Sequence, residues 1–132
     1  MQSRNDRKRS RLSIYLAGRG ASIAHALRGI SDLLGSQPNA RIHLLASALV
    51  LVLGVSFGVT RMEWALLVIA MLSVWVAEAL NTAVEHVCDR VSTEHHPLIG
   101  KAKDVAAGAV LLAACAAVAI GLLVFMPYLS RS

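Results

Sequence analysis

Four side chains spaced for one helical face stand out in this chain: Glu78, Asn81, Glu85 and Asp89. A helix turns by about 100° per residue, so relative to Glu78 the others sit at roughly −60°, −20° and +20°. Three carboxylates and one amide therefore form a narrow polar stripe. Carboxylates of like charge repel, and removing them from water is costly unless something positive is near. A hydrated divalent cation held by carboxylate oxygens, together with substrate phosphates, would meet that need. A solvated helix face just outside a membrane is the other reading. Spacing alone leaves both open, although an ionisable residue at membrane depth is read as functional by default.

Five of the eight acidic residues fall between Glu78 and Asp104, the others in that window being Asp89, Glu94 and Glu85. Lys101 and Lys103 share the window, and Lys103 can meet phosphate charge. Several other chemistries find no motif. There is no GxxxxGK[ST] phosphate loop, no Gly-rich dinucleotide turn and no GxSxG nucleophile turn. His86, Cys88, His95 and His96 have no standard zinc spacing. The two cysteines, Cys88 and Cys115, form no CxxC and suggest no disulfide framework.

The elements that must position the stripe are apolar. The chain has 132 residues, 56% of them hydrophobic, and a mean hydropathy of +0.60. That is too apolar for an ordinary soluble domain of this length. Three runs are long enough for a bilayer, which takes about 20 residues. They are expected at 42–59, 64–88 and 102–126. Between the first two, Thr60-Arg61-Met62-Glu63 is a short connection that forces antiparallel neighbours. Glu78 lies about 21 Å along the helix from Trp64, at 1.5 Å per residue, which places it near the headgroup zone. Val91 to Gly100 reads as a turn. The third run is rich in Ala and Gly, which lets membrane helices approach closely, and Pro127 is expected to stop it.

Ahead of these spans, residues 1–11 are polar and basic and are expected to be disordered. No apolar stretch follows them directly, so they are not read as a secretory signal. Residues 12–34 carry Ile23, Leu27 and Ile30 at helical spacing among Arg19, His25 and Arg28. This predicts an amphipathic helix lying on the membrane surface. Arg19 and His25 can face a nucleotide phosphate, or Arg19 can contact lipid headgroups. Gly35 to Asn39 is a break, and Pro38 disfavours helix at Gln37.

Charge sets the expected topology. Residues 1–41 hold eight of the 13 Lys and Arg against two acids, whereas the rest hold five against six. A basic arm before the first span fits the positive-inside rule. The N-terminus and the acidic window then lie in the cytoplasm, and the 60–63 connection and the C-terminus lie outside. Nucleic acid is not favoured as a partner, because aromatics are few and the remainder is too apolar. Three helices enclose little interior, so a homo-oligomer is expected.

The string Glu-Ala-Leu-Asn-Thr-Ala-Val-Glu from Glu78 to Glu85, followed by Asp89-Arg90, Glu94-His95-His96-Pro97 and Lys101-Ala-Lys103-Asp104, closely resembles the prokaryotic diacylglycerol kinase family, which includes the undecaprenol kinases. The likeness extends to Asn39-Ala-Arg41-Ile-His43 and, more loosely, to Ala24-His25-Ala-Leu-Arg-Gly29, covering roughly residues 19–126.

The resemblance implies an all-α integral-membrane homotrimer, each chain with an N-terminal surface helix and three transmembrane helices. It implies Mg2+-dependent transfer of the ATP γ-phosphoryl group to a membrane lipid alcohol at the cytoplasmic face of a bacterial inner membrane. By the family pattern Glu78 is the general base and Glu85 holds the metal. Asn81, Asp89, Lys103 and Asp104 line the nucleotide and phosphate site, with Glu94, His95 and His96 beside the nucleotide. Arg19 and His25 are carried as further ATP-binding residues. One position departs from the family: a Glu that helps bind metal commonly stands two residues before the Asn of the N-x-R segment, and here it is Gln37, a weaker magnesium ligand. The Arg-Ile-His segment, the Glu63-Trp64 pair and the His-Pro loop look more like the undecaprenol-kinase branch, but diacylglycerol and undecaprenol both stand as acceptors.

The chemistry of the residues agrees with this. Phosphoryl transfer needs positioning and charge neutralisation more than covalent work. Two rivals remain. One is a non-catalytic membrane protein that binds phosphates or lipids, which has no need of such a stripe. The other is a transporter subunit, which would place its carboxylates near the middle of the bilayer rather than at one end.

Overall fold

The computed structural model describes residues 4–91 and 96–130, with side chains described from residue 19 onward. These residues form four helices, α1 (Arg4–Ser36), α2 (Pro38–Phe57), α3 (Arg61–Val91) and α4 (Pro97–Leu129). Two compact units result, Met1–Ser36 and Gln37–Ser132.

The first unit is α1. It starts at Arg4, ahead of the expected Leu12, because Arg and Lys are good helix formers with no β-branch to crowd the turn. Ile23, Leu27 and Ile30 are exposed along it, and Arg28 donates to His25 Nδ1 one turn away at 3.0 Å.

The second unit holds the three helices long and apolar enough to cross a membrane. Each starts ahead of its expected apolar segment; α3 and α4 also run past its end, whereas α2 stops at Phe57, short of the expected Val59, because Gly58 caps it. Gln37 is extended (φ −103°, ψ 116°) and caps α2, with Pro38 in the first turn. There Pro lacks only an N–H that would have had no partner. Gly58 closes α2 in the left-handed region (φ 63°). The Gly58 N–H donates to Val55 O at 3.2 Å and the Val59 N–H to Gly54 O at 3.1 Å, a pairing that satisfies the last carbonyls.

Thr60 and Glu63 then cap α3 reciprocally. The Glu63 N–H donates to Thr60 Oγ1 at 3.3 Å, and the Thr60 N–H to Glu63 Oε2 at 2.7 Å. Tyr128 donates to the same Glu63 oxygen at 2.7 Å, which ties the end of α4 to the start of α3. At the other end Lys103 meets Asp89 at 2.6 Å. These two ties make α3 and α4 antiparallel. Pro127 does not stop α4, which continues to Leu129. So close to the helix end, a proline removes one bond and leaves few turns to distort.

A small apolar core of Val59, Leu67, Val124 and Phe125 lies at the Glu63–Tyr128 end, with Phe57 stacked on Tyr128 at 5.8 Å between ring centroids. Elsewhere long apolar side chains such as Leu45, Val55, Leu112 and Leu123 are exposed. An aqueous surface tolerates few such contiguous residues, whereas lipid or partner chains cover them without penalty.

The Trp64 ring packs closely against Gly54 of α2. A Cβ on Gly54 would lie 2.6 Å from Trp64 Cη2, whereas one on Gly121 meets nothing within 4 Å. Gly54→Ala should therefore lose about 1–3 kcal/mol by overpacking. Thermal unfolding in detergent checks this, with Gly121→Ala expected to melt like the parent. Equal melting of the two variants would remove the close approach as a cause of stability.

Candidate functional site

The end of the second unit away from the core is polar inside. The N-terminal turns of α2, the second half of α3 and the first half of α4 enclose a cleft of about 330 Å³. Asn39 and His43 line it from α2, Glu78, Asn81 and Glu85 from α3, and Ala107, Val110, Leu111 and Ala114 from α4. The small α4 residues leave the space into which the α3 polar groups project.

Of the stripe, Glu78, Asn81 and Glu85 line the cleft together, sharing one face of α3 as the helical spacing predicts. Glu78 is 1% exposed and Asn81 6%. Both Glu78 carboxylate oxygens and Asn81 Oδ1 are buried without a hydrogen-bond partner. Buried polar groups are ordinarily paired, so each orphan calls for an explanation such as a role in chemistry or a missing ligand. Glu85 is half-buried and held from two sides. Asn81 Nδ2 donates to its Oε1 at 3.1 Å, and Gln37 Nε2 to its Oε2 at 3.5 Å. Both partners are neutral amides, which orient the carboxylate without meeting its charge. Gln37, 48 residues away in sequence, is thus brought to Glu85.

Asp89, the next member of the stripe, is exposed and pairs with Lys103. Lys103, Ala107, Val110 and Ala114 follow one another at helical spacing, so Lys103 stands on the α4 face that lines the cleft. Asp104 is exposed beside it. His96 is exposed and caps α4, accepting the Leu98 N–H through Nδ1 at 3.2 Å. Arg19 and His25 are exposed on α1 and belong to the first unit. Glu94 and His95 lie outside the described residues.

His43 was not among the residues singled out for chemistry. Its Nε2 is 3.8 Å from Glu78 Oε2. Trp75 meets its ring edge-on, with centroids 6.5 Å apart, and Trp75 Nε1 donates to Ser47 Oγ at 3.1 Å. No local spacing joins residue 43 to residue 78. Only its place in the Asn39–His43 segment marked it.

Among the described residues no three His, Cys, Asp or Glu side chains converge on one point. Cleft donors able to meet a hard cation are oxygens: the Glu85 carboxylate, whose hydrogen-bond partners are the neutral amides of Gln37 and Asn81, and the oxygens of those amides. Their chemistry fits Mg2+, which is ordinarily bound by one or two carboxylates plus substrate phosphates and water rather than by an all-protein cage.

An acid-lined cleft thus lies at one end of three helices long and apolar enough to cross a membrane. Residues 24–125 match the family described as prokaryotic diacylglycerol kinase. The chain is 39% identical over 108 residues to an undecaprenol kinase of Bacillus subtilis, a match covering 82% of this chain and 88% of that protein. It is 38% identical over 107 residues to a diacylglycerol kinase of Synechocystis, covering 80% of this chain and 61% of that one. A diacylglycerol kinase of Haemophilus influenzae is 33% identical over 94 residues, or 71% and 80% of the two chains. The chain belongs to the prokaryotic diacylglycerol kinase family, and it is a lipid kinase of the membrane.

Proposed function

We propose that the chain transfers the γ-phosphoryl group of ATP to the hydroxyl of a membrane lipid alcohol. The acceptor is diacylglycerol or undecaprenol, giving phosphatidic acid or undecaprenyl phosphate. The observation that carries the reading is Glu78: a carboxylate almost fully buried, with both oxygens unpaired, in a cleft at one end of membrane-length helices.

In this reading Glu78 accepts the proton of the lipid hydroxyl. The hydroxyl oxygen bonds to the γ-phosphorus, the bond from that phosphorus to the bridging oxygen breaks, and ADP leaves. Asn81 and Gln37 hold Glu85 in place. Lys103 turns from Asp89 toward the phosphates, and Asp104 and His96 stand beside the nucleotide. Mg2+, held by Glu85 and Gln37, would neutralise phosphate charge.

The chain works as a homotrimer in a bacterial inner membrane. The breadth of its exposed apolar surface supports partner helices as well as lipid. The exposed Ile23, Leu27 and Ile30 of α1 suit a helix resting on the membrane surface. The basic arm supports a cytoplasmic N-terminus and cleft, with the C-terminus outside.

The test is phosphoryl transfer in mixed micelles with Mg-ATP, offering diacylglycerol and undecaprenol side by side. Phosphorylation of one lipid establishes the activity and its branch. No transfer to either by folded protein would leave a phosphate- or lipid-binding protein without catalysis.

A further inference from the structure

We propose that His43 is a positioning residue for Glu78. Its Nε2–H holds Glu78 Oε2, so that Oε1 is the oxygen presented to the lipid hydroxyl. The inference rests on the kinase reading for its meaning, but its geometry does not depend on that reading.

Three observations converge on the pair. First, donor and acceptor are both orphans. His43 Nε2 and the two Glu78 oxygens are buried without hydrogen-bond partners, and Nε2 lies 3.8 Å from Oε2. That is about 0.9 Å beyond an ordinary N–H···O contact. A small movement of either side chain satisfies both, and hydrogen bonds of this kind often tighten only in the substrate complex.

Second, the histidine is braced. The edge-on ring of Trp75 limits its tilt, and the indole is itself tied across to Ser47 on α2. The brace is built from α2 and α3, the two helices that carry His43 and Glu78. A histidine that served only to fill space would not need its neighbour hydrogen-bonded in place.

Third, His43 stands where two hollows meet. The polar cleft holds Glu78, Asn81 and Glu85. An apolar groove of about 340 Å³ runs from Trp75 past Val118 to Leu129 along the three helices. The two share His43 and Ala114 as lining residues, and only His43 of these has polar side-chain atoms. A lipid alcohol is apolar along its length and polar at its reacting end. Its hydroxyl, passing from groove to cleft, meets His43 and Glu78 together. A carboxylate free to turn would present either oxygen at either angle, and a misplacement of about 1 Å can lower a rate by about 10²-fold.

The substitutions that separate positioning from packing are His43→Leu and His43→Gln. Leucine fills the space without a donor, whereas the glutamine amide places an N–H near the site of Nε2. His43→Leu should lower kcat for the lipid alcohol by about 10²-fold with KM for ATP little changed. His43→Gln should recover most of that loss. Equal losses in the two variants, or wild-type kcat in His43→Leu, would overturn the proposal. A double-mutant cycle on thermal unfolding in detergent reads the pair without any turnover. His43→Leu and Glu78→Leu, each of which removes one partner, should shift the melting temperature non-additively if the side chains touch, and additively if they do not. Strict additivity would likewise overturn it. Failure of every lipid to be phosphorylated would instead strike the kinase reading, and the thermal cycle would still decide the contact.

Discussion

Glu78→Gln is expected to lower kcat for lipid phosphorylation by about 10³-fold, the middle of the range for loss of a general base. KM for ATP should stay within about twofold, since the amide has the shape of the carboxylate and loses only its ability to take a proton. The same variant should be at least as stable as the parent. Both Glu78 oxygens are buried without a hydrogen-bond partner, His43 Nε2 standing 3.8 Å from Oε2, and a charge in that setting is destabilising relative to a neutral group of equal size. Activity falling while the melting temperature holds or rises is the signature of a residue kept for chemistry. Glu78→Asp keeps the charge but withdraws it by one methylene, so it should also be impaired. Steady-state kinetics in mixed micelles, beside thermal unfolding of the same preparations, checks both halves. A Glu78→Gln enzyme with parental kcat would remove Glu78 as the base.

What the sequence could say about this site divides by distance along the chain. Asn81 and Glu85 lie within two turns of Glu78, and helical periodicity puts all three on one face, which in the structure lines the cleft. Asp89 obeys the same periodicity yet is exposed. Period gives an angle around the helix and says nothing of burial, and Asp89 lies at the rim of the bundle, tied to Lys103 of α4. The three spans were legible because apolar runs of bilayer length have few other uses. Their ends were less so. Capping by Thr60 and His96 starts α3 and α4 ahead of their apolar segments, Pro38 starts α2, and Pro127 is tolerated in a last turn. Long-range pairs were not legible from pattern. Tyr128 reaches Glu63 across 65 residues, and His43 meets Glu78 on a different helix. Such contacts depend on how helices cross, which no local spacing encodes. Gln37 was found by resemblance alone, and the structure gives it a physical place, its amide on the Glu85 carboxylate.

That contact supports the other large effect. Glu85→Gln should raise the Mg2+ concentration for half-maximal activity by at least about tenfold, because a neutral amide is a weaker ligand for a hard cation than a carboxylate. Gln37→Glu should act in the opposite sense. It sets a second carboxylate about 3.5 Å from the first, replacing an N–H···O contact by repulsion between like charges. Without metal this variant should melt below the parent. With Mg2+ the two carboxylates share one cation, and half-saturation should fall by about tenfold, equivalent to ~1.4 kcal/mol. Binding to the folded state alone raises its apparent stability, so the Mg2+-induced rise in melting temperature should be larger in Gln37→Glu than in the parent. Titrating Mg2+ against melting temperature reads this without turnover, and titrating it against phosphoryl transfer reads it with turnover. Should Glu85→Gln shift the Mg2+ dependence while Gln37→Glu leaves it unchanged, residue 37 would only orient Glu85. Should neither variant move it, the cation would lie on the nucleotide phosphates alone, and the amides around Glu85 would need another explanation.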